Sequence, residues 1–284
     1  MPTYYKFISD ADAAQFLFQG AIKFTPVAEL NDPSELMPNV LLEEVKSSLA
    51  RLRKQGYNDD DLHYLRAQGH LLKQLAPRFQ AVSIPGTKEQ ATALIRSPFY
   101  DSISLLERLL DDTAREISSK VGVFCLSRRY DSLPMWAHYA GNAAGLVVEF
   151  ADLEGVFPGD VTGVLRRPVA VRYDRHVWGV TFDPQSHESL FFAKFPDWRY
   201  EEEVRVVLPL TDCRRKAFGE KVLYAYDIPR SCVKRAILGW RMPPEKRDLV
   251  HGHARTHNPE VEIVQARFVR GRIELQRTIP AIAR

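Results

Sequence analysis

Cysteine is scarce in this chain of 284 residues. Only Cys125, Cys213 and Cys232 occur, and no two are spaced as C-x-x-C. An odd, scattered set argues against a disulfide framework and a multi-cysteine zinc site, and for reduced thiols in a cytoplasmic protein. Long apolar runs are missing too: nothing reaches the ~18–20 residues of a membrane helix. Met1-Pro2-Thr3-Tyr4-Tyr5-Lys6-Phe7 lacks the basic flank and apolar stretch of a secretory leader. The expectation is a cytoplasmic protein without a membrane partner. There is no phosphate-binding glycine loop, no G-x-S-x-G elbow and no H-E-x-x-H helix. Repeats and low-complexity segments are absent, and nothing marks a long linker. One domain over 1–284 is therefore expected.

What is present reads as an α+β protein. Tyr4–Ile8 is β-rich, Asp10 can cap a helix through Ala13, Phe16 and Leu17, and Gly20 stops it before Ala21–Thr25. From about Asn39 to Lys120, apolar residues recur at helical spacing: Leu41, Val45, Leu49 and Leu52, then Leu62, Leu65, Leu72 and Leu75, then Ile103, Leu106, Leu110 and Ile117. This predicts a helical insertion over 39–120, carried by a mixed β-sheet body. Later come short β-branched or aromatic runs: Val121–Leu126, Gly145–Phe150, Val169–Tyr173, Val204–Leu208, Val222–Tyr226 and Val233–Leu238. Pro243-Pro244 opens a helix to His257. Glu260–Phe268 and Arg272–Gln276 follow, predicting a parallel crossover and then a hairpin around Arg270-Gly271.

Three clusters carry polar and aromatic residues where plain loops carry Gly, Ser and Lys. In Asn31-Asp32-Pro33-Ser34-Glu35 a turn and a helix cap explain the composition as well as a site does. Met135-Trp136-Ala137-His138-Tyr139 has one apolar face at helical spacing. Trp136, His138 and Tyr139 also form a wall on which a flat ring could stack. In Lys194 to Arg205, with Trp198 and Tyr200 inside it, strand alternation puts Glu201, Glu203 and Arg205 on one face. Carboxylates so placed must be solvated, paired with Lys194 and Arg205, or turned to a site. His251, His253 and His257 are explained better by an exposed helix than by a metal.

In this order the clusters resemble the bacterial domain of unknown function 2971 family. Its pattern is met by Tyr5-Lys6-Phe7, Gly20 with Phe24, Leu30 to Glu35, Phe124 to Ser127, Met135 to Ala140 with Gly145, and Lys194 to Arg205. The order is also similar to ADP-ribosyltransferase-like folds of the DNA-modifying toxin branch. That resemblance implies a mixed sheet of that fold and NAD as substrate, with no metal. Its acceptor would be a nucleic acid or a protein, as in a toxin or phage-defence effector. Glu203 would be the catalytic carboxylate and Glu201 would serve the acceptor. Lys6 would stand in the cofactor-binding position of the first strand, Ser127 would orient ribose, and Trp136, His138 and Tyr139 would hold the nicotinamide. Asn31, Asp32, Lys194, Trp198, Tyr200 and Arg205 complete the motifs. Loss of nicotinamide creates an oxocarbenium ion that one aimed carboxylate stabilises. On this reading Glu203→Gln should stop NAD turnover and spare the fold. The first strand carries Lys6 where such enzymes place Arg or His, and the middle motif has one Ser where many have S-T-S.

Two other readings stay open. From Arg230 to Arg284 there are twelve Lys or Arg and five Asp or Glu, which suits a non-catalytic nucleic-acid-binding module as well as a solvated basic face. A metal-dependent nuclease would use Asp32, Glu201 and Glu203, but Val204-Arg205 stands where its lysine is expected.

Overall fold

The β-branched runs of the second half need neighbours for their backbone groups, and the first two strands supply them. The computed structural model describes residues 2–32, 42–75, 80–98, 108, 112, 115–159, 165–173, 189–218 and 221–277. The strands are β1 (Thr3–Ile8), β2 (Ala21–Pro26), β3 (Val121–Ser127), β4 (Leu146–Ala151), β5 (Val169–Ala170), β6 (Arg172–Tyr173), β7 (Ala193–Lys194), β8 (Glu203–Pro209), β9 (Arg214–Phe218), β10 (Lys221–Asp227), β11 (Val233–Leu238), β12 (Glu262–Val269) and β13 (Arg272–Arg277). The described helices are α1 (Ala13–Phe18), α2 (Leu42–Gln55), α3 (Asp59–Leu75), α4 (Lys88–Ile95), α5 (Leu133–His138), α6 (Leu153–Val156), α7 (Ser189–Phe192) and α8 (Pro244–His257). The fold is α+β with one large mixed sheet.

That sheet runs β13-β12-β11-β4-β1-β3-β2-β10-β9, and β8 lies against β3. Most neighbours are antiparallel. The exception in the large sheet is β11 with β12, which are parallel and joined through α8, as the strand–helix–strand pattern predicts. The hairpin between β12 and β13 turns at Arg270 and Gly271, both at positive φ (48° and 82°). The expected strand at Val169–Tyr173 is instead two short pieces, β5 on β8 and β6 on β7. At the N-terminus Asp12, not Asp10, occupies the cap position of α1; the Asp10 carboxylate accepts from the Asp12 N–H at 3.0 Å and shapes the turn before it.

Alternation along the strands splits the core between faces. Phe124 and Leu126 of β3 join Val204, Val206 and Leu208 of β8 beneath α1 and α8. Val121 and Val123 point the other way, with Val207, Phe191 and Phe192. Trp136 of α5 packs with Phe7, Val147, Ile237 and Val264 on a third cluster. The helical segment has its own small core of Leu49, Leu52, Tyr57, Ala91 and Ile95. Asn58 and Asp61 cap α3 reciprocally, at 2.7 and 3.1 Å, and Asp61 pairs with Arg51 at 2.8 Å. No described residue between 42 and 98 is in a strand. Leu41, Ile103, Leu106 and Leu110 lie outside the described residues. No described helix is long and apolar enough to cross a membrane.

Two glycines give opposite expectations. A Cβ on Gly145 would lie 2.1 Å from the Ile8 carbonyl oxygen, a backbone atom, whereas one on Gly252 of α8 meets nothing within 4 Å. Gly145→Ala should lose on the order of 3 kcal/mol in urea denaturation. Gly252→Ala should gain about 0.5–1 kcal/mol, because helix interiors favour alanine. Equal effects at the two positions would contradict the close approach of β1 to Gly145.

Candidate functional site

The site begins at a split in the sheet. All seven residues of β3 pair with β8 on one edge. On the other edge β3 meets β1 only at Tyr5↔Ser127, and β2 only at Thr25↔Val123 and Pro26↔Gly122. The two strands diverge, leaving the edge around Phe124–Leu126 without a strand partner there. Lys6 reaches into the gap, donating from Nζ to the Cys125 carbonyl at 2.9 Å, with the Phe124 ring 5.6 Å away. The gap opens a cavity of about 130 Å³, lined among others by Tyr5, Lys6, Asn31, Ser127, Tyr139, Lys194, Glu201, Glu203 and Arg205. Residues from all three sequence clusters thus meet in one place.

A chain of charged hydrogen bonds lines its floor. Asn31 Nδ2 donates to the Tyr139 hydroxyl at 2.7 Å, which donates to Glu201 Oε1 at 2.6 Å. Lys194 Nζ donates to Glu201 Oε2 at 2.8 Å and to Glu203 Oε2 at 3.3 Å. Arg205 grips Glu203 with two bonds, Nε to Oε1 at 2.8 Å and Nη2 to Oε2 at 2.9 Å, and donates from Nη1 to the Phe191 carbonyl at 2.8 Å. Lys194, Glu201, Glu203 and Arg205 are all buried, none more than 4% exposed. Burial alone would raise the Glu203 pKa, but the Arg205 and Lys194 cations outweigh it and bring it down to about 2. Burial prevails at Glu201, where the neighbouring Glu203 charge adds to it and the carboxyl sits above its ordinary range despite Lys194. Burial, then Glu201, raise the Tyr139 phenol, which therefore stays a donor. Burial, then Glu203, push the Cys125 thiol up to about 12, so it is not a nucleophile at neutral pH.

Local backbone geometry brings the two carboxylates together, and by a different route from simple strand alternation. Strand β8 starts at Glu203. Glu201 ends a 3-10 helix spanning Pro196–Glu201, and Glu202 between them is left-handed at φ 43°. Such a conformation costs a non-glycine residue about 1 kcal/mol or more. It is held by the Ser127 hydroxyl, which donates to the Glu201 carbonyl at 2.6 Å, and by the Arg128 N–H on the Glu202 carbonyl at 3.0 Å. Lys194 enters from β7, whose partner strand β6 ends in Tyr173; the Tyr173 hydroxyl accepts from the Glu203 N–H at 2.7 Å.

Several sequence assignments change accordingly. Trp136 is fully buried, with Nε1 donating to the Tyr130 carbonyl at 2.6 Å, so it has no face to offer a ligand. His138 is exposed, 3.0 Å from the Tyr200 hydroxyl, and with Tyr200 lies outside the cavity lining. Trp198 stacks on the Lys194 ammonium at 4.7 Å, also outside the lining. Ser127 is buried and its hydroxyl hydrogen is committed to Glu201, so it shapes the backbone and does not orient a ribose. Glu203 already accepts from Arg205 twice and from Lys194, with the Cys125 thiol as a fourth partner, which fills a carboxylate's four lone-pair sites. Asp32 is buried but does not line the cavity; Pro33, Ser34 and Glu35 lie outside the described residues. The nuclease arrangement fits poorly, because a lysine ammonium occupies the space between Glu201 and Glu203. The described residues hold no group of three or more His, Cys, Asp or Glu placed to bind a metal. Tyr5, Phe7, Cys125 and Tyr173 were given no site role from the sequence, although Tyr5, Phe7 and Cys125 lie within the matched motifs. Nothing in the sequence linked Tyr173 to Glu203.

The chain matches no protein-family model, no curated protein and no solved structure.

The ion network makes the fold sensitive to Glu203. Its pKa is about 2 when folded and near 4.5 for an ordinary glutamate. Its contribution is complete above pH 4.5 and is lost as pH falls toward 2. Glu201, with a raised pKa, acts in the opposite sense and softens that loss. Glu203→Gln leaves Arg205 and Lys194 short of buried counter-charge, so it should cost about 3–5 kcal/mol at pH 7. It should also flatten the acid limb of stability against pH, as followed by urea denaturation. The expectation that Glu203→Gln spares the fold is thereby reversed. A change under about 1 kcal/mol, typical of an exposed pair, would show that the network does not form.

Proposed function

We propose that the cleft carries out an ADP-ribosyltransferase-like glycosyl transfer from NAD, with Glu201 as the carboxylate that meets the reacting centre. The observation carrying this is the convergence of a buried carboxylate, a phenol donor and an amide on the sheet split. Glu201 Oε1 accepts only from Tyr139 among its described hydrogen bonds, while both Glu203 oxygens are gripped by Arg205. The sequence-based roles are thus exchanged: Glu203 becomes a positioning residue for Lys194 and Arg205. A cavity of about 130 Å³ suits the ribosyl end of a dinucleotide, since sites enclosing a whole drug-sized ligand run to ~300–1,000 Å³. The resemblance of the motif order to ADP-ribosyltransferase-like folds points to the same reading.

The chemistry follows from those contacts. The bond from ribose C1′ to nicotinamide breaks, and its electron pair leaves with nicotinamide, which becomes neutral. The ionised Glu201 opposes the positive charge left on the sugar. An acceptor oxygen or nitrogen then bonds C1′, and its proton passes to Glu201. A carboxyl lifted above its ordinary range is a better proton acceptor than a typical glutamate. Asn31 and Tyr139 orient the carboxylate, and Lys6 adds a cation to the lining that suits an anionic group of the dinucleotide.

The test is nicotinamide release from NAD with nucleic-acid and protein acceptors supplied. The wild-type protein should turn NAD over, and Glu201→Gln should lower the rate by ~10²–10³ while a thermal melt remains cooperative. Tyr139→Phe should lower it less, because Glu201 keeps its Lys194 partner. Wild-type protein that neither binds nor consumes NAD with any acceptor would overturn the proposal.

A further inference from the structure

Away from the cleft, one end of the sheet carries an exposed ring on a deep aromatic support. Phe268, on β12, is 48% exposed, although its strand neighbours on the same face, Val264 and Ala266, are buried. Its ring stacks on Trp240, with centroids 6.0 Å apart and planes 28° from parallel. Trp240 lies 5.3 Å from the buried Trp136, which lies 5.7 Å from Phe7 at the cleft. A lone surface phenylalanine would be mobile. This one is braced, and about half of it is open to solvent.

The chain around it is basic. Arg241 follows Trp240, and Arg270 and Arg272 flank the tight turn after Phe268. All three are exposed and form no ion pair among the described residues. Elsewhere on these strands Arg235 is bound to Glu149 and Glu262, Arg277 to Glu262, and Arg267 bonds the Gln276 side chain. The register pairs Arg272 with Val269 and so turns it to the other face of the hairpin from Phe268, leaving Arg241 and Arg270 as the exposed, unpaired cations next in sequence to the braced Trp240–Phe268 pair. Such a surface suits a partner that offers both anions and flat faces.

We propose that this end of the sheet, built on Phe268 and Trp240 with Arg241 and Arg270, docks single-stranded nucleic acid. An unpaired base stacks on the Phe268 ring, and its flanking phosphates meet the arginines; base stacking and counterion release are the two sources of such binding. A duplex hides its base faces and would leave the ring unused. A second copy of this chain docked symmetrically would bring the same arginines against one another. An apolar membrane anchor needs several apolar side chains, whereas Phe268 is the one large hydrophobic residue exposed on the described part of the chain after Leu133. The surface is independent of NAD chemistry, and its test does not involve turnover.

Fluorescence anisotropy with labelled ~12-nucleotide mixed-sequence DNA and RNA strands tests it. The full chain should bind, and the affinity should fall steeply between ~50 and ~200 mM salt. Phe268→Ala should weaken binding about tenfold or more, with the thermal melt unchanged because the ring is exposed. Replacing Arg241 and Arg270 by Gln should make the log–log salt dependence shallower by about 0.7 per arginine. No binding of either strand at low salt would overturn the proposal. So would equal affinity of Phe268→Ala, preference for anionic vesicles over oligonucleotides, or a dimer that Phe268→Ala dissociates.

Discussion

Two buried carboxylates and two buried cations decide how this molecule is built. Lys194 bridges Glu201 and Glu203, and Arg205 holds Glu203 in a two-point grip. Each charge taken from water alone would be expensive, so none of the four can be placed without the others. That requirement reaches far along the chain. It needs β7 to carry Lys194 in beside β8, and β6 to hold β7. It needs Glu202 in a left-handed turn, so that carboxylates two residues apart converge despite the break in the strand. Ser127 and Tyr173, on other strands, complete the backbone hydrogen bonds of that turn.

The split between β1 and β2 turns this structural network into a site. Had either strand run the full length of β3, its backbone would have filled the gap, and Lys6 would have had no orphan carbonyl to reach. Instead the sheet forks, and the ion network forms the floor of the opening. Counted over the lining, Lys6, Lys194 and Arg205 face Glu201 and Glu203. One cation remains uncompensated, which biases the opening toward a ligand carrying an anionic group. Both carboxylates are buried, but Glu201 Oε1 accepts only from Tyr139 among its described hydrogen bonds, whereas Arg205 grips both oxygens of Glu203.

The aromatic residues divide the same way between support and exposure. Trp136 looked like a stacking surface because its neighbours in sequence are polar, yet it is the hub of a buried cluster. Among the rings that remain accessible are Tyr139 at the cleft and Phe268 on β12, both braced by that cluster or by hydrogen bonds. Composition cannot separate the two kinds of ring, since a helix of six residues offers both a buried and an exposed face within one turn.

Much of the architecture was legible because it depends on local physics. The 3.6-residue spacing of Leu49 and Leu52, the β-branched runs of β3, β4 and β11, the Pro243-Pro244 helix start and the Arg270-Gly271 turn act within a few residues of themselves. The parallel crossover through α8 followed from length alone. Of the three polar-aromatic clusters, Asn31, Tyr139 and Glu201 meet at the cleft, while Asp32, Trp136 and His138 do not line it. The roles within the site were not legible. Whether Glu201 or Glu203 faces the cavity depends on a left-handed residue between them and on which one Arg205 reaches. Whether Trp136 is wall or core depends on Phe7 and Trp240, each about a hundred residues away in sequence. These are outcomes of packing and charge balance among distant segments, which only the folded chain brings into contact.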